Sequence, residues 1–96
     1  MKVQSSTIEN KYLRVKSINV GACLYEVYDK QKKINLILNL GPTKNYSSKN
    51  FYVGATCGRY AGRISNSKFN IKNKIYKLDG NEGKNTLHGG KIGFDR

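Results

Sequence analysis

The last twelve residues, NTLHGGKIGFDR, carry the one histidine of the chain, His88, directly before Gly89 and Gly90. An imidazole can donate a hydrogen bond to an oxygen or accept one from a hydroxyl, and both of its protonation states are accessible near neutral pH. The two glycines would let a ligand or a neighbouring strand approach closely. A single histidine is more commonly structural, so it is the position of His88 that makes it a candidate binding or acid–base residue.

A second segment whose residues could do chemistry is GRYAGRI, residues 58–64, in which Arg59 and Arg63 each directly follow a glycine. A guanidinium offers five N–H donors and no acceptor, so it suits a ligand rich in oxygen: a phosphate, a carboxylate or a sugar. The alternative is a structural arginine that pairs with a carboxylate or a backbone carbonyl. The residue types alone leave both interpretations open.

The net charge of +12 first suggests a polyanionic partner, such as nucleic acid or an acidic membrane surface. However, fourteen of the eighteen basic residues are scattered lysines, whereas arginine is the preferred residue for recognition of phosphates and bases. The tyrosines are not interleaved with basic residues in a stripe. The pattern favours a solvated surface and no nucleic-acid partner, and a small basic nucleic-acid-binding β-domain stays as the alternative.

Length and cysteine content limit the remaining classes. Ninety-six residues are enough for one small domain. Cys23 and Cys57 lack the spacing of metal ligands and cannot form a disulfide framework, so we expect small buried hydrophobic residues and no metal site. The N-terminal segment lacks the apolar core of a signal peptide, and no stretch approaches membrane-spanning length. These features predict a cytoplasmic protein with no membrane partner.

Alternation of polar and apolar residues predicts an all-β fold of five or six short strands. Strands are expected near residues 13–17 and 22–28, with a polar turn at 29–33. The segment INLILNL, residues 34–40, gives the clearest strand, with one face formed by Ile34, Leu36, Leu38 and Leu40.

Turn residues define the second half of the chain. Gly54, Gly58 and Gly62 predict a loop whose backbone passes close to another group, because each glycine would cost an exposed helix about 1 kcal/mol. The segments KFNI and IYKL predict a tight β-hairpin around Asn73. In that hairpin Phe69 and Ile71 are expected to face Ile75 and either Leu78 or Tyr76.

Residues 53–96 resemble the N-terminal part of the aldose 1-epimerase family, the galactose mutarotases. That family shows Gly-Ala-Thr-x-Gly-Arg-x-Ala-Asn-Arg-Ile, then a Phe–turn–Tyr-x-Leu hairpin, then Asn-x-x-x-Asn-x-Leu-His-Gly-Gly and Gly-Phe-Asp. The chain carries GATCGRYAGRI, KFNIKNKIYKL, NEGKNTLHGG and GFD in the same order. The weaker match upstream extends the resemblance to about residue 12, and the joint occurrence of these motifs is specific.

The resemblance implies an antiparallel β-sandwich of the galactose mutarotase type, of which residues 1–96 are the N-terminal, truncated part. It implies interconversion of the α and β anomers of free hexoses, such as galactose and glucose, without metal or cofactor. The ring oxygen is protonated, the anomeric hydroxyl loses its proton, the ring opens, and rotation about C1–C2 lets it close on the other face.

The resemblance also implies the roles of individual residues. Arg63 contacts sugar hydroxyls, and His88 supports catalysis by orienting the sugar and helping to polarise the ring oxygen. Gly62 stands at the substrate-binding position where the family has Asn. The family's principal acid, a second His, and its base, a Glu, lie beyond Gly-Phe-Asp, and Asp79, Glu82 and Asp95 do not match them.

We therefore expect a partial hexose site and an inactive isolated chain. The expected partners are the small-molecule hexose and a missing C-terminal portion or companion chain. The chain is expected to be a truncated gene product, an incomplete sequence or a split subunit. A non-catalytic carbohydrate-binding remnant is the further alternative.

Overall fold

The computed structural model describes residues 2–47 and 52–95. These residues form eight strands in three antiparallel sheets, two short 3-10 helices and no α-helix, which confirms the predicted all-β class. No helix within them is long and apolar enough to cross a membrane. They group into two compact units: the described residues up to Thr56 with Asp95, and Cys57–Phe94.

The first unit contains a four-stranded meander in the order β1-β2-β3-β4. Two asparagine- and aspartate-based turns connect its strands: Asn10 Oδ1 accepts from the N–H groups of Tyr12 and Leu13, and Asp29 Oδ1 accepts from the two residues that follow Lys30. Such side chains hydrogen-bond the backbone two or three residues on and so define a turn. The predicted strands and the turn at 29–33 are confirmed, and β1 was not anticipated. The strands are β1 (Ser5–Glu9), β2 (Leu13–Ile18), β3 (Cys23–Asp29) and β4 (Ile34–Asn35).

The predicted strand over 34–40 is wrong beyond its first two residues. The Oδ1 of Asn35 accepts the N–H of Val27 at 3.0 Å, and the Nδ2 of Asn39 donates to the carbonyl of Tyr25 at 3.1 Å. Asparagine side chains thus replace backbone groups along β3, which ends the ladder. The apolar face expected here is not buried: Leu36 is 52% and Leu38 87% exposed, and Leu40 is half-buried.

The core of the first unit lies between β2, β3 and the 3-10 helix Thr43–Ser47. Its buried hydrophobic residues are Ile18, Val20, Cys23 and Tyr46. The Tyr46 hydroxyl accepts the backbone N–H of Leu40 at 3.0 Å. Gly54 adopts φ +68, and a side chain there would overlap the Leu24 carbonyl. This close approach is what the glycine pattern predicted for the loop.

The second unit holds two strand pairs. The first joins β5 (Arg63–Ile64) to β8 (Thr86–Leu87), and the second is the hairpin of β6 (Lys68–Ile71) and β7 (Lys74–Lys77). The predicted hairpin is confirmed, because Lys72 and Asn73 form its two-residue turn with φ of 48° and 63°.

The register of the hairpin corrects one predicted pairing. Phe69 lies opposite Tyr76, with stacked rings 5.3 Å apart, as one of the two alternatives expected. The two-residue turn places Ile71 opposite Lys74 and Ile75 opposite Asn70, so the predicted contact between Ile71 and Ile75 across the hairpin is wrong.

Candidate functional site

The β5–β8 pair holds the residues that sequence reasoning selected. Arg63 lies opposite Leu87 in the ladder, so Gly62 comes beside His88. The two form reciprocal hydrogen bonds: His88 N–H donates to the Gly62 carbonyl at 3.1 Å, and Gly62 N–H donates to His88 Nδ1 at 3.1 Å. Gly62 and His88, which are 26 positions apart in sequence, are therefore held together by the paired β5 and β8 backbone.

This arrangement determines the hydrogen-bonding character of the imidazole. Because Nδ1 accepts from Gly62, the neutral ring carries its proton on Nε2, where it can donate to an oxygen. His88 is half-buried and adopts φ 48°. The close approach expected at the following glycines comes from backbone, since a side chain on Gly89 would overlap the Gly58 carbonyl.

Arg63 is held by a carboxylate that the motif did not indicate. Its Nε and Nη2 donate to Glu82 Oε2 and Oε1 at 2.6 and 2.7 Å. The structural alternative for Arg63, a pair with a carboxylate, is thus realised, but it uses two of the five donors of the guanidinium. Hydrogen bonds from Arg63 and the charge of the same guanidinium hold the pKa of Glu82 below its usual value, although desolvation acts in the opposite direction.

A short loop, fixed to β8 by hydrogen bonds, positions Glu82. The Nδ2 of Asn81 donates to the Leu87 carbonyl at 2.9 Å, and the Leu87 N–H donates to Asn81 Oδ1 at 2.7 Å. The N–H of Asn85 donates to the Glu82 carbonyl at 2.9 Å and closes the turn. The two asparagines of the Asn-x-x-x-Asn motif therefore hold the loop that carries Glu82. This motif is the feature of the sequence that could have indicated the loop.

The second candidate arginine, Arg59, has a different environment. Its guanidinium carbon lies 5.5 Å from the ring centroid of Phe94, whose N–H donates to the Gly58 carbonyl at 3.1 Å. A guanidinium over an aromatic face is a favourable cation–π arrangement. Among residues 2–47 and 52–95, no group of three or more His, Cys, Asp or Glu side chains could hold a metal ion.

Arg63 and His88 thus stand one ladder position apart on the β5–β8 pair, which offers a carboxylate-paired guanidinium and an imidazole N–H as hydrogen-bond donors. Both are hydrogen-bond donors, and the carboxylate of Glu82 balances the positive charge of Arg63. This combination is suited to a neutral ligand that carries several oxygen acceptors.

Known proteins are similar to this chain in sequence. A sequence profile of the aldose 1-epimerase family matches residues 4–95. The galactose mutarotase of Sus scrofa is 38% identical over 97 residues, which cover 98% of this chain and 28% of that protein. The aldose 1-epimerase of Haemophilus influenzae is 37% identical over 98 residues, which cover 97% of this chain and 28% of that protein.

Solved structures agree with these matches. A galactose 1-epimerase from Lactobacillus acidophilus superposes with a TM-score of 0.83 and 33% identity, over 98% of this chain and 32% of that one. An aldose epimerase homologue from C. elegans superposes with a TM-score of 0.84 and 31% identity, over 98% of this chain and 30% of that one. The chain thus spans less than a third of the length of the relatives it matches. It belongs to the aldose 1-epimerase family.

Proposed function

We propose that this chain contributes part of the sugar site of a mutarotase, which interconverts the α and β anomers of free hexoses such as galactose and glucose. The observation that carries this proposal is the reciprocal hydrogen bonding of Gly62 and His88 next to Arg63. It supports a preformed set of donors, and a pyranose presents hydroxyl and ring oxygens that such donors can bind.

The roles follow from the donors available. Arg63 binds sugar hydroxyls through the N–H groups outside its pair with Glu82. His88 donates from Nε2 to a sugar oxygen, orients the ring and helps to polarise it. A positioned acid or base contributes about 10²–10⁴-fold in rate, and anomerisation needs one of each.

The principal acid and base would come from outside residues 1–96. The relatives named above are more than three times as long as this chain, so the missing portion or a companion chain is the partner we propose. The isolated chain would then bind hexose weakly without turning it over. Independence of metal and nucleotide, and a cytoplasmic location, stay predictions.

A chimera tests this proposal. In it, the present chain replaces the matching segment of the Haemophilus influenzae aldose 1-epimerase, and polarimetry follows the mutarotation of α-galactose and α-glucose. We expect the chimera to accelerate the reaction, and Arg63→Ala and His88→Ala each to slow it by at least about tenfold.

Two results would contradict the proposal. One is an active chimera that neither substitution affects. The other is salt-dependent binding of the present chain to single-stranded DNA with no binding of hexose, which would favour the basic nucleic-acid-binding alternative.

A further inference from the structure

We infer that Glu82 is a positioning residue of the hexose site: it orients the Arg63 guanidinium towards the sugar and compensates its charge, so that the site takes an uncharged hexose in preference to a hexose phosphate. This inference rests on the proposed function and adds a residue that the family pattern does not assign. It is carried by the contacts of Glu82 and of its neighbour Asn81.

The first contact is the fork between the two side chains. Both carboxylate oxygens of Glu82 are used, at 2.6 and 2.7 Å from Nε and Nη2 of Arg63. A bidentate pair fixes the plane of the guanidinium as well as its distance. The Arg63 side chain is 62% exposed, so little else in its surroundings would hold a long flexible side chain in one orientation.

The second contact is made by Asn81, the residue directly before Glu82, and it joins this loop to β8, the strand that ends directly before His88. The Asn81 side chain binds both backbone groups of Leu87, the residue opposite Arg63 and directly before His88. The paired backbone of β5 and β8 therefore positions the carboxylate, the guanidinium and the imidazole. The ion pair of Glu9 and Lys30, a single contact of 2.8 Å, has no such connection and provides a natural control.

The charge of Glu82 determines which ligand the site prefers. Arg63 favours the ionised form of Glu82 through its hydrogen bonds and through its charge. With the carboxylate in place, the guanidinium still donates hydrogen bonds but attracts anions less. A neutral hexose loses nothing by this compensation, whereas a phosphate ester must approach a carboxylate and meets like charge.

The test uses the 96-residue chain with Glu82→Gln, which keeps the shape of the side chain and removes its charge. The matched control is Glu9→Gln. Galactose and galactose 6-phosphate are titrated in turn by NMR, and the Arg63 Nε–Hε resonance is assigned by its loss in Arg63→Lys. Amide resonances of Thr86 and Leu87 report whether the β5–β8 pair is intact.

We expect Glu82→Gln to weaken galactose binding by about three- to tenfold, the range of a charge-assisted hydrogen bond. It should also shift the ratio of the two affinities towards galactose 6-phosphate and speed exchange of the Arg63 Nε proton. Glu9→Gln should change none of these. A purely structural role would weaken both ligands alike and leave their ratio unchanged.

Several results would overturn the inference. If Arg63→Lys weakens galactose binding but Glu82→Gln behaves like the control, Glu82 is no positioning residue and the proposed function stands. An unchanged ratio of affinities likewise removes the specificity role. If the chain binds no galactose, or if Arg63→Lys and His88→Ala leave binding intact, the proposed function itself fails.

Discussion

Gly62 and His88 hold each other through two hydrogen bonds of 3.1 Å, one between backbone groups and one from the Gly62 N–H to the imidazole Nδ1. The second bond requires a lone pair on Nδ1, so it fixes the tautomer and the plane of the ring together. The residue before Arg63 thereby orients the imidazole. The two candidate sugar-binding residues are thus linked through the backbone of Gly62.

This coupling predicts opposite outcomes for two substitutions of His88. Asparagine can place its amide oxygen near the position of Nδ1, whereas glutamine can place its amide nitrogen near that of Nε2. His88→Asn should therefore keep slow hydrogen exchange at the Gly62 amide and lose about tenfold in galactose affinity. His88→Gln should instead speed hydrogen exchange at the Gly62 amide and keep part of the galactose affinity. Amide exchange and galactose titration measure the two effects. Equal behaviour of the two variants would contradict the assigned tautomer.

Gly62 itself gives the next prediction. The family pattern has Asn at this position, and a Cβ built on Gly62 meets no atom within 4 Å. Its φ of +69 lies in the left-handed region, which asparagine tolerates better than other residues with a side chain. Gly62→Asn should therefore fold and raise galactose affinity by about three- to tenfold, the range of one added hydrogen bond.

Gly62→Ala is the matched control for that gain. Alanine takes the same strained φ without an amide, so it should lose stability by about 1 kcal/mol and gain no affinity. Thermal unfolding and galactose titration separate the two contributions. A tighter complex with alanine as well would mean that backbone rigidity, and not a side-chain amide, determines the affinity.

Elements that depend on local preferences can be predicted from this sequence, and those that depend on side-chain contacts between distant residues cannot. Alternation and turn residues predicted β2, β3 and the hairpin around Asn73, because each of these depends on local preferences. They failed over 34–40, where Asn35 and Asn39 bind the backbone of β3 with their side chains. The periodicity of apolar residues does not indicate where side chains will compete with the backbone for hydrogen bonds.

The candidate site shows the same division. The motifs identified Arg63 and His88, but Glu82 could not be paired with Arg63 from sequence, since the two are 19 positions apart and meet only through the loop that Asn81 fixes on Leu87. A lone carboxylate in a polar loop has no spacing pattern of its own. The pairing becomes visible only when the β5–β8 register is known.

The hairpin turn offers a test of stability that does not depend on the proposed function. Lys72 has φ 48°, a conformation in which asparagine and glycine are favoured at the first position of a two-residue hairpin loop. Lys72→Asn should stabilise the chain by about 0.5–1 kcal/mol because it removes this backbone strain. Urea denaturation measures the change, and Lys72→Gln, which loses the same charge but lacks the preference, should give no such gain. A gain with glutamine would point to relief of charge repulsion instead.

Acid should weaken the first unit through Glu26. The Arg14 Nε–H donates to Glu26 Oε1 at 2.8 Å across β2 and β3, and this bond holds the pKa of Glu26 below its ordinary value of 4.5, although burial acts in the opposite direction. A group whose pKa is lowered on folding stabilises the protein above its unfolded pKa and loses that contribution as the pH falls through its folded pKa. Glu26→Gln should therefore be less stable than wild type at neutral pH, and the difference should shrink as the pH falls below about 4.5.

Urea denaturation followed by circular dichroism at several pH values measures this, with Arg14→Gln expected to remove the same pH dependence. A difference between Glu26→Gln and wild type that stays constant with pH would show that the ionised carboxylate is not the source of the stabilisation.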